Sequence, residues 1–151
     1  MSDIGEAIDR MIERVTRATY IIAAEGAALV EAEAKINAPS VDGTLRRSIT
    51  ADDPSPIGIA AFAAEVGPTV EYGRLRELGG DIEPDGHPYL AFYWPDAPAG
   101  IRFLPDGRAL VHHVHQDPEP YLKPAVEMTK AAYLALARRR WADALGVSHA
   151  R

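Results

Sequence analysis

From residue 3 to residue 36, apolar side chains return in alternating steps of four and three, at Ile4, Ile8, Met11, Val15, Ala18 and Ile22, and again at Leu29, Ala32 and Ile36. This spacing keeps one face of an α-helix apolar, with Glu25 as an interruption on the stripe. Asp3 followed three residues later by Glu6 has the form of a capping box, and Pro39 ends the run. A helix over 3–36 measures about 50 Å at 1.5 Å per residue, whereas a compact domain of this size has a radius of gyration of about 15 Å. The pattern therefore predicts a helix that finds partners outside its own domain. Two shorter helices hinged at Gly26 are the alternative, since glycine inside a helix costs about 1 kcal/mol relative to alanine. The stripe, which resumes in register at Leu29 beyond Glu25, favours one long or mildly bent helix.

The stretch Ala38-Pro39-Ser40-Val41-Asp42-Gly43-Thr44-Leu45-Arg46-Arg47-Ser48-Ile49 reads as a helix stop, a sharp turn at Asp42-Gly43 and the start of a strand. Beyond it the period becomes that of strands. Residues 45–50 form a short strand or one irregular turn, and 57–66 reads as a strand bounded by Pro56 and Gly67-Pro68. Residues 89–94, 101–104 and 109–115 supply three more, with Pro105-Asp106-Gly107 as a hairpin turn between the last two. Between them, 67–88 is punctuated by glycine and proline and carries Glu77, Asp81, Glu83 and Asp85. A connection of that length reads as a functional or disordered loop, with a helical turn over 70–78. A final helix spans 121–146: Pro124 suits a first turn, Val126, Thr129, Tyr133, Leu136 and Arg140 share a face, and Gly146 terminates it. Arg138, Arg139 and Arg140 complement the dipole of its last turns, and 147–151 reads as a frayed tail.

These elements predict an α+β fold in a single domain of 1–151. Its parts are a long N-terminal helix, a small, mostly antiparallel β-sheet over 45–115 with a long central loop at 67–88, and a C-terminal helix packed on the sheet.

Composition narrows the picture. A chain of 151 residues that is 47% hydrophobic can bury a core of its own. With 16 Lys+Arg against 22 Asp+Glu, the net charge of −6 disfavours an indiscriminate grip on DNA or anionic membrane by the whole surface. The absence of cysteine excludes disulfides and thiolate metal sites. The N-terminus lacks the basic start and apolar run of a signal peptide, and no stretch approaches the roughly 18 apolar residues of a membrane span. The expectation is a soluble protein made in the cytoplasm, without a membrane partner.

Candidate chemistry is sparse. His112, His113 and His115, with His87, are the obvious metal candidates, yet on a strand only His113 and His115 share a face. No carboxylate completes them at fixed spacing, so they read as polar strand positions. Ser40, Ser48, Ser55 and Ser148 lack a Gly-x-Ser-x-Gly setting. Asp81, Glu83 and Asp85 lack the later glutamate of a calcium loop, and the glycines form neither Gly-x-Gly-x-x-Gly nor a phosphate-binding Gly-Lys-Ser/Thr. No catalytic, cofactor-binding or metal-binding residue is assigned. Arg46-Arg47 and Arg74/Arg76, near Tyr72 and Leu75, instead suit an interface, where arginine and aromatic residues are enriched.

Three segments resemble one family. Ala38-Pro39 through Asp42-Gly43-Thr44-Leu45-Arg46-Arg47-Ser48-Ile49 is similar to a turn in which proline, a Thr-Gly or like pair, Leu-Arg and Ser-Ile recur. Val70-Glu71-Tyr72-Gly73 through Glu77-Leu78-Gly79 resembles a Tyr-Ala, Glu, aromatic-Gly segment, and Pro120-Tyr121-Leu122-Lys123-Pro124-Ala125-Val126 looks like a Pro-aromatic-Leu-basic-Pro-Ala-Leu start to a last helix. In that order they resemble the gene-product-ten-like tail-completion or head–tail connector proteins of tailed-bacteriophage necks. This chain departs from that pattern in placing Gly43 before Thr44, in carrying Gly73 where alanine is common, and in a longer, more acidic 81–115.

The resemblance implies a structural virion protein of the neck with no catalytic site and no cofactor. It implies a homo-oligomeric ring of six subunits that completes the tail or joins head to tail. Its partners would be a stopper or connector on the head side and a terminator or tail-tube protein on the tail side, with DNA passing through the channel without specific binding. Candidate subunit contacts are Arg46, Arg47, Tyr72, Arg74, Leu75, Arg76 and Tyr121. The alternatives are a tail terminator or head-side stopper of the same neck, a non-viral protein-binding module, and an enzyme using the histidines.

Overall fold

The structure is a computed structural model that describes residues 2–39 and 43–147. The chain forms two compact units, Met1–Gly73 with Pro120–Arg151, and Arg74–Glu119.

In the first unit, α1 (Ser2–Asn37) runs without a break for 36 residues. Gly26 is not a hinge. A Cβ there would lie 2.5 Å from the ring of Tyr133, so glycine serves the close approach of α4 (Leu122–Leu145) to α1. The two helices pack antiparallel: Arg140 pairs with Glu25, Trp141 Nε1 donates to Thr19 Oγ1 at 3.3 Å, and Arg14 donates to the Asp143 carbonyl at 3.2 Å. Gly146 ends α4 in the left-handed conformation, at φ 71°, which fits the expected terminator.

The expected turn at Asp42 lies outside the described residues, as does most of the 147–151 tail. After Gly43, at φ 76°, the chain enters a helix, α2 (Thr44–Ser48), followed by the strand β1 (Ile49–Ala51). The expected strand or irregular turn over 45–50 is thus replaced by a helical turn, because Leu45 and Ser48, three apart, share the buried side.

The expected single strand over 57–66 is also corrected. It contributes to three strands, β2 (Ser55–Gly58), β3 (Ala61–Ala63) and β4 (Val66–Pro68). Ala60, at φ 50°, turns the chain between β2 and β3, which pair antiparallel; β4 pairs antiparallel with β1, Ile49 opposite Pro68.

The core of this unit joins α1, α2, β1 and the start of α4 through Ala34, Ala38, Leu45, Ile49, Tyr121 and Ala125, with Val66 and Val70 packed against them. The C-terminal helix therefore packs on the β1–β4 pair as well as along α1. Alanines on α1 let these elements approach closely. Glu31 ties α1 to β1: its carboxylate accepts the Ala51 N–H at 3.0 Å and a hydrogen bond from Lys35. The Lys35 hydrogen bond, helped by that N–H against partial burial, holds the Glu31 pKa below its usual value.

The helical turn expected over 70–78 is present, and in the second unit the rest of the segment read as a loop contains structure as well. The helix α3 (Tyr72–Leu78), within which the division between units falls, is followed by β5 (Gly80–Ile82). β5 pairs antiparallel with β9 (Val114–Gln116), and β6 (Leu90–Phe92), β8 (Ala109–Val111) and β7 (Arg102–Phe103) form an antiparallel sheet in that order. The strand expected over 109–115 is split into β8 and β9 by a bend at His112 and His113. The expected hairpin turn at 105–107 is present. Gly107 takes φ 85°, and the Asp106 carboxylate accepts the Arg108 N–H at 3.1 Å and its Nε–H at 2.8 Å.

Candidate assembly surface

The geometry of α1 and α4 leaves one helix end uncovered. α4 ends opposite Arg14, and among the described residues nothing covers the turns of α1 before it, so that residues 3–14 are all exposed. The apolar stripe continues through them, with Ile4, Ile8 and Met11 exposed at 69, 48 and 48%. Towards Val15, Ala18 and Ile22 the same stripe becomes the face that α4 covers, and Ala18 and Ile22 are buried. A packing face thus runs past the end of its partner.

Beside the covered part, α1 and α4 form the walls of two depressions. One, of about 480 Å³, is lined mainly by apolar groups including Phe62, Val66, Val126 and Tyr133. The other is a wider trough of about 1020 Å³, floored by Ala28, Leu29, Ala132, Ala135 and Leu136 and bordered by Arg138, Arg139 and the Glu25–Arg140 pair. Among the described residues, neither Arg138 nor Arg139 makes an ion pair.

The residues singled out from sequence have different fates. Arg46 and Arg47 are exposed on α2, where Arg47 reaches Thr44 Oγ1 at 3.3 Å. Tyr72 is half exposed in the same unit. Tyr121 has no surface to offer a subunit: its side chain is fully enclosed, and its hydroxyl donates to the Gly73 carbonyl at 3.2 Å. In the second unit Arg74 is exposed and Leu75 is half-buried, while Arg76 is engaged internally, pairing with Glu119 at 2.8 Å as its carbonyl accepts the Glu119 N–H at 2.7 Å. The bare α1 stripe carried a clear sequence signal, a helix longer than its domain. The trough carried none, because it depends on how α4 lies across α1.

The histidines do not converge. His112 and His113 are exposed at the bend, the His112 ring lying 4.7 Å from that of Tyr89. His115 instead stands opposite Asp81 in the β5–β9 register, with Nδ1 2.7 Å from its carboxylate. No group of three or more His, Asp or Glu among the described residues is placed to hold a metal ion.

The Asp81 hydrogen bond and charge raise the His115 pKa above its usual value. A raised folded-state pKa gives a contribution that is complete below the unfolded value, about 6.5, and is lost as pH rises through the folded value. Amide protection in β5 and β9, corrected for intrinsic exchange rates, is accordingly expected to fall as pH rises through that window, and His115→Gln to flatten the profile. An unchanged profile in the variant would show that the pair does not act.

Among the described residues, no helix is long and apolar enough to cross a membrane. Comparison with curated proteins and with solved structures finds no match. A family model described as bacteriophage HK97-gp10, putative tail-component, matches residues 1–79, which include all of α1, the α2 turn, β1 to β4 and α3.

Proposed function

The chain belongs to the HK97-gp10-like family of bacteriophage tail components, and from that premise we propose that it is a structural protein of the virion neck. Copies of it assemble into a ring that completes the tail or joins head to tail, leaving an axial channel for DNA. The observation that carries this reading is the apolar stripe of α1, which outruns α4 and stands in solvent at Ile4, Ile8 and Met11. A stripe of that kind is costly to leave wet, since burying each such side chain is worth roughly 1.5–3 kcal/mol. It fits a protein that completes itself by association.

The exposed Arg46 and Arg47 on α2, with Tyr72, suit contacts between subunits or with a neighbouring neck protein. A net charge of −6 suits a ring through which DNA slides without adhering.

Sedimentation of the purified protein is expected to show a multimer that grows with concentration, and electron micrographs closed rings. Phage lacking the protein are expected to accumulate heads and tails that do not join. A chain that stays monomeric at the highest attainable concentration and is absent from purified particles would overturn this assignment.

A further inference from the structure

The two unsatisfied features of the first unit are complementary in shape and charge. At about 100° per residue, Ile4, Ile8, Met11 and Ile12 lie on one side of α1, bordered by Asp9 on one edge and by Asp3 between Arg10 and Arg14 on the other, while Glu6 and Glu13 turn away. Ala7 leaves a hollow beside Ile4, Ile8 and Met11. The overhang is therefore an apolar ridge whose segment is net negative, with Asp3, Glu6, Asp9 and Glu13 against Arg10 and Arg14. The trough between α1 and α4 is the converse, an apolar floor bordered by Arg138 and Arg139.

The geometry points to an interlock between copies: the α1 overhang of one copy lies in the arginine-bordered trough of the next. This deepens the ring reading and rests on it. The alternative of two overhangs packing on each other is disfavoured by charge, because it would bring together two net-negative segments, whereas the trough presents Arg138 and Arg139. Arg10 is already engaged with Glu6, and Arg14 with the Asp143 carbonyl. The narrower apolar depression offers the net-negative segment one cation, Lys130. Continuity adds to the case, since the bare stripe extends the face on which α1 already receives a helix. Overhang and trough are different patches, so the contact is heterologous, the kind that closes a ring when the rotation between neighbours divides a full turn.

A chain without cysteine allows a direct test. Leu136 faces the part of α1 around Glu25 and Leu29, which leaves Ile8 of the same chain about 25 Å away at 1.5 Å per residue, far beyond the roughly 7 Å a disulfide spans. A disulfide between Ile8→Cys and Leu136→Cys can thus form only between copies. Full-length chains carrying one substitution each are mixed and mildly oxidised. The mixture is expected to give a disulfide dimer several-fold above either chain alone.

Arg138→Glu with Arg139→Glu in the Leu136→Cys chain is expected to abolish the product. Asp3→Arg with Asp9→Arg in the Ile8→Cys chain is expected to restore it. Ile8→Asp is expected to weaken self-association roughly ten- to hundredfold, the equivalent of one buried aliphatic side chain, while the helical circular dichroism is unchanged. Three results would overturn the interlock: dimers of Ile8→Cys with itself, preferential capture by Val126→Cys in the other depression, or a multimer that forms without the mixed disulfide. In the last case the ring reading survives and the interlock alone fails, whereas a chain that never assembles defeats both.

Discussion

Replacing Tyr121 by alanine is expected to destabilise the first unit by about 3–5 kcal/mol, the range for truncating a buried aromatic residue. The ring is fully enclosed where α1, α2, β1 and the start of α4 meet, so nothing nearby can collapse into the space without breaking another contact. Tyr121→Phe separates the two parts of this effect. It keeps the ring and deletes the hydroxyl that donates to the Gly73 carbonyl, at an expected cost of about 1 kcal/mol. Urea unfolding followed by far-ultraviolet circular dichroism reports this unit, because α1 and α4 supply most of the helical signal. An alanine variant that loses under about 1 kcal/mol would mean the pocket is far looser than the structure shows.

Gly73→Ala is expected to reverse the usual sign of such a change. Inside a helix, alanine is normally favoured over glycine by about 1 kcal/mol. Here a Cβ would lie 2.3 Å from Cγ and 2.6 Å from Cβ of Pro68, and 3.1 Å from the Tyr121 hydroxyl. The proline ring cannot swing aside, because β4 holds it opposite Ile49. The expected result is a net loss of about 1–3 kcal/mol from overpacking. Gly5→Ala is the control. Nothing lies within 4 Å of a Cβ at that position on the overhang, so the propensity gain is left unopposed. If both variants gain stability, the close packing of Gly73 on Pro68 is wrong.

Helices read from period alone matched well. The stripe from Ile4 to Ile36 anticipates α1 nearly to the residue, and Pro124 with Gly146 brackets α4. The turn at 105–107 was legible because proline, aspartate and glycine each favour a bend there. The short elements were not. α2 exists because Leu45 and Ser48 are drawn to the same core, a tertiary pull with no local period in five residues. The break in 57–66 falls at Ala60, a residue that carries no signal for the left-handed conformation it adopts.

The site divides in the same way. An uncovered α1 followed from length, and the exposure of Arg46 and Arg47 from chemistry. Tyr121 was a candidate subunit contact, yet the start of α4 points it inward. Gly73, in a segment read as part of a loop, proves to be the carbonyl and close contact on which that tyrosine rests.

The antiparallel pairing of α1 with α4 also sets an order of events during synthesis. Glu25 and Arg140 are 115 residues apart, and Thr19 and Trp141 are 122. At about 5–20 residues per second, α1 leaves the ribosome roughly 6 to 23 s before its covering helix. The segment Arg74–Glu119, contiguous in the chain, can make its internal contacts in that interval. One wall of the trough is α4 itself, so the trough comes into being last. A nascent chain carries the exposed stripe of α1 before the trough exists, so under the proposed interlock it can receive a neighbour only once α4 has emerged and docked.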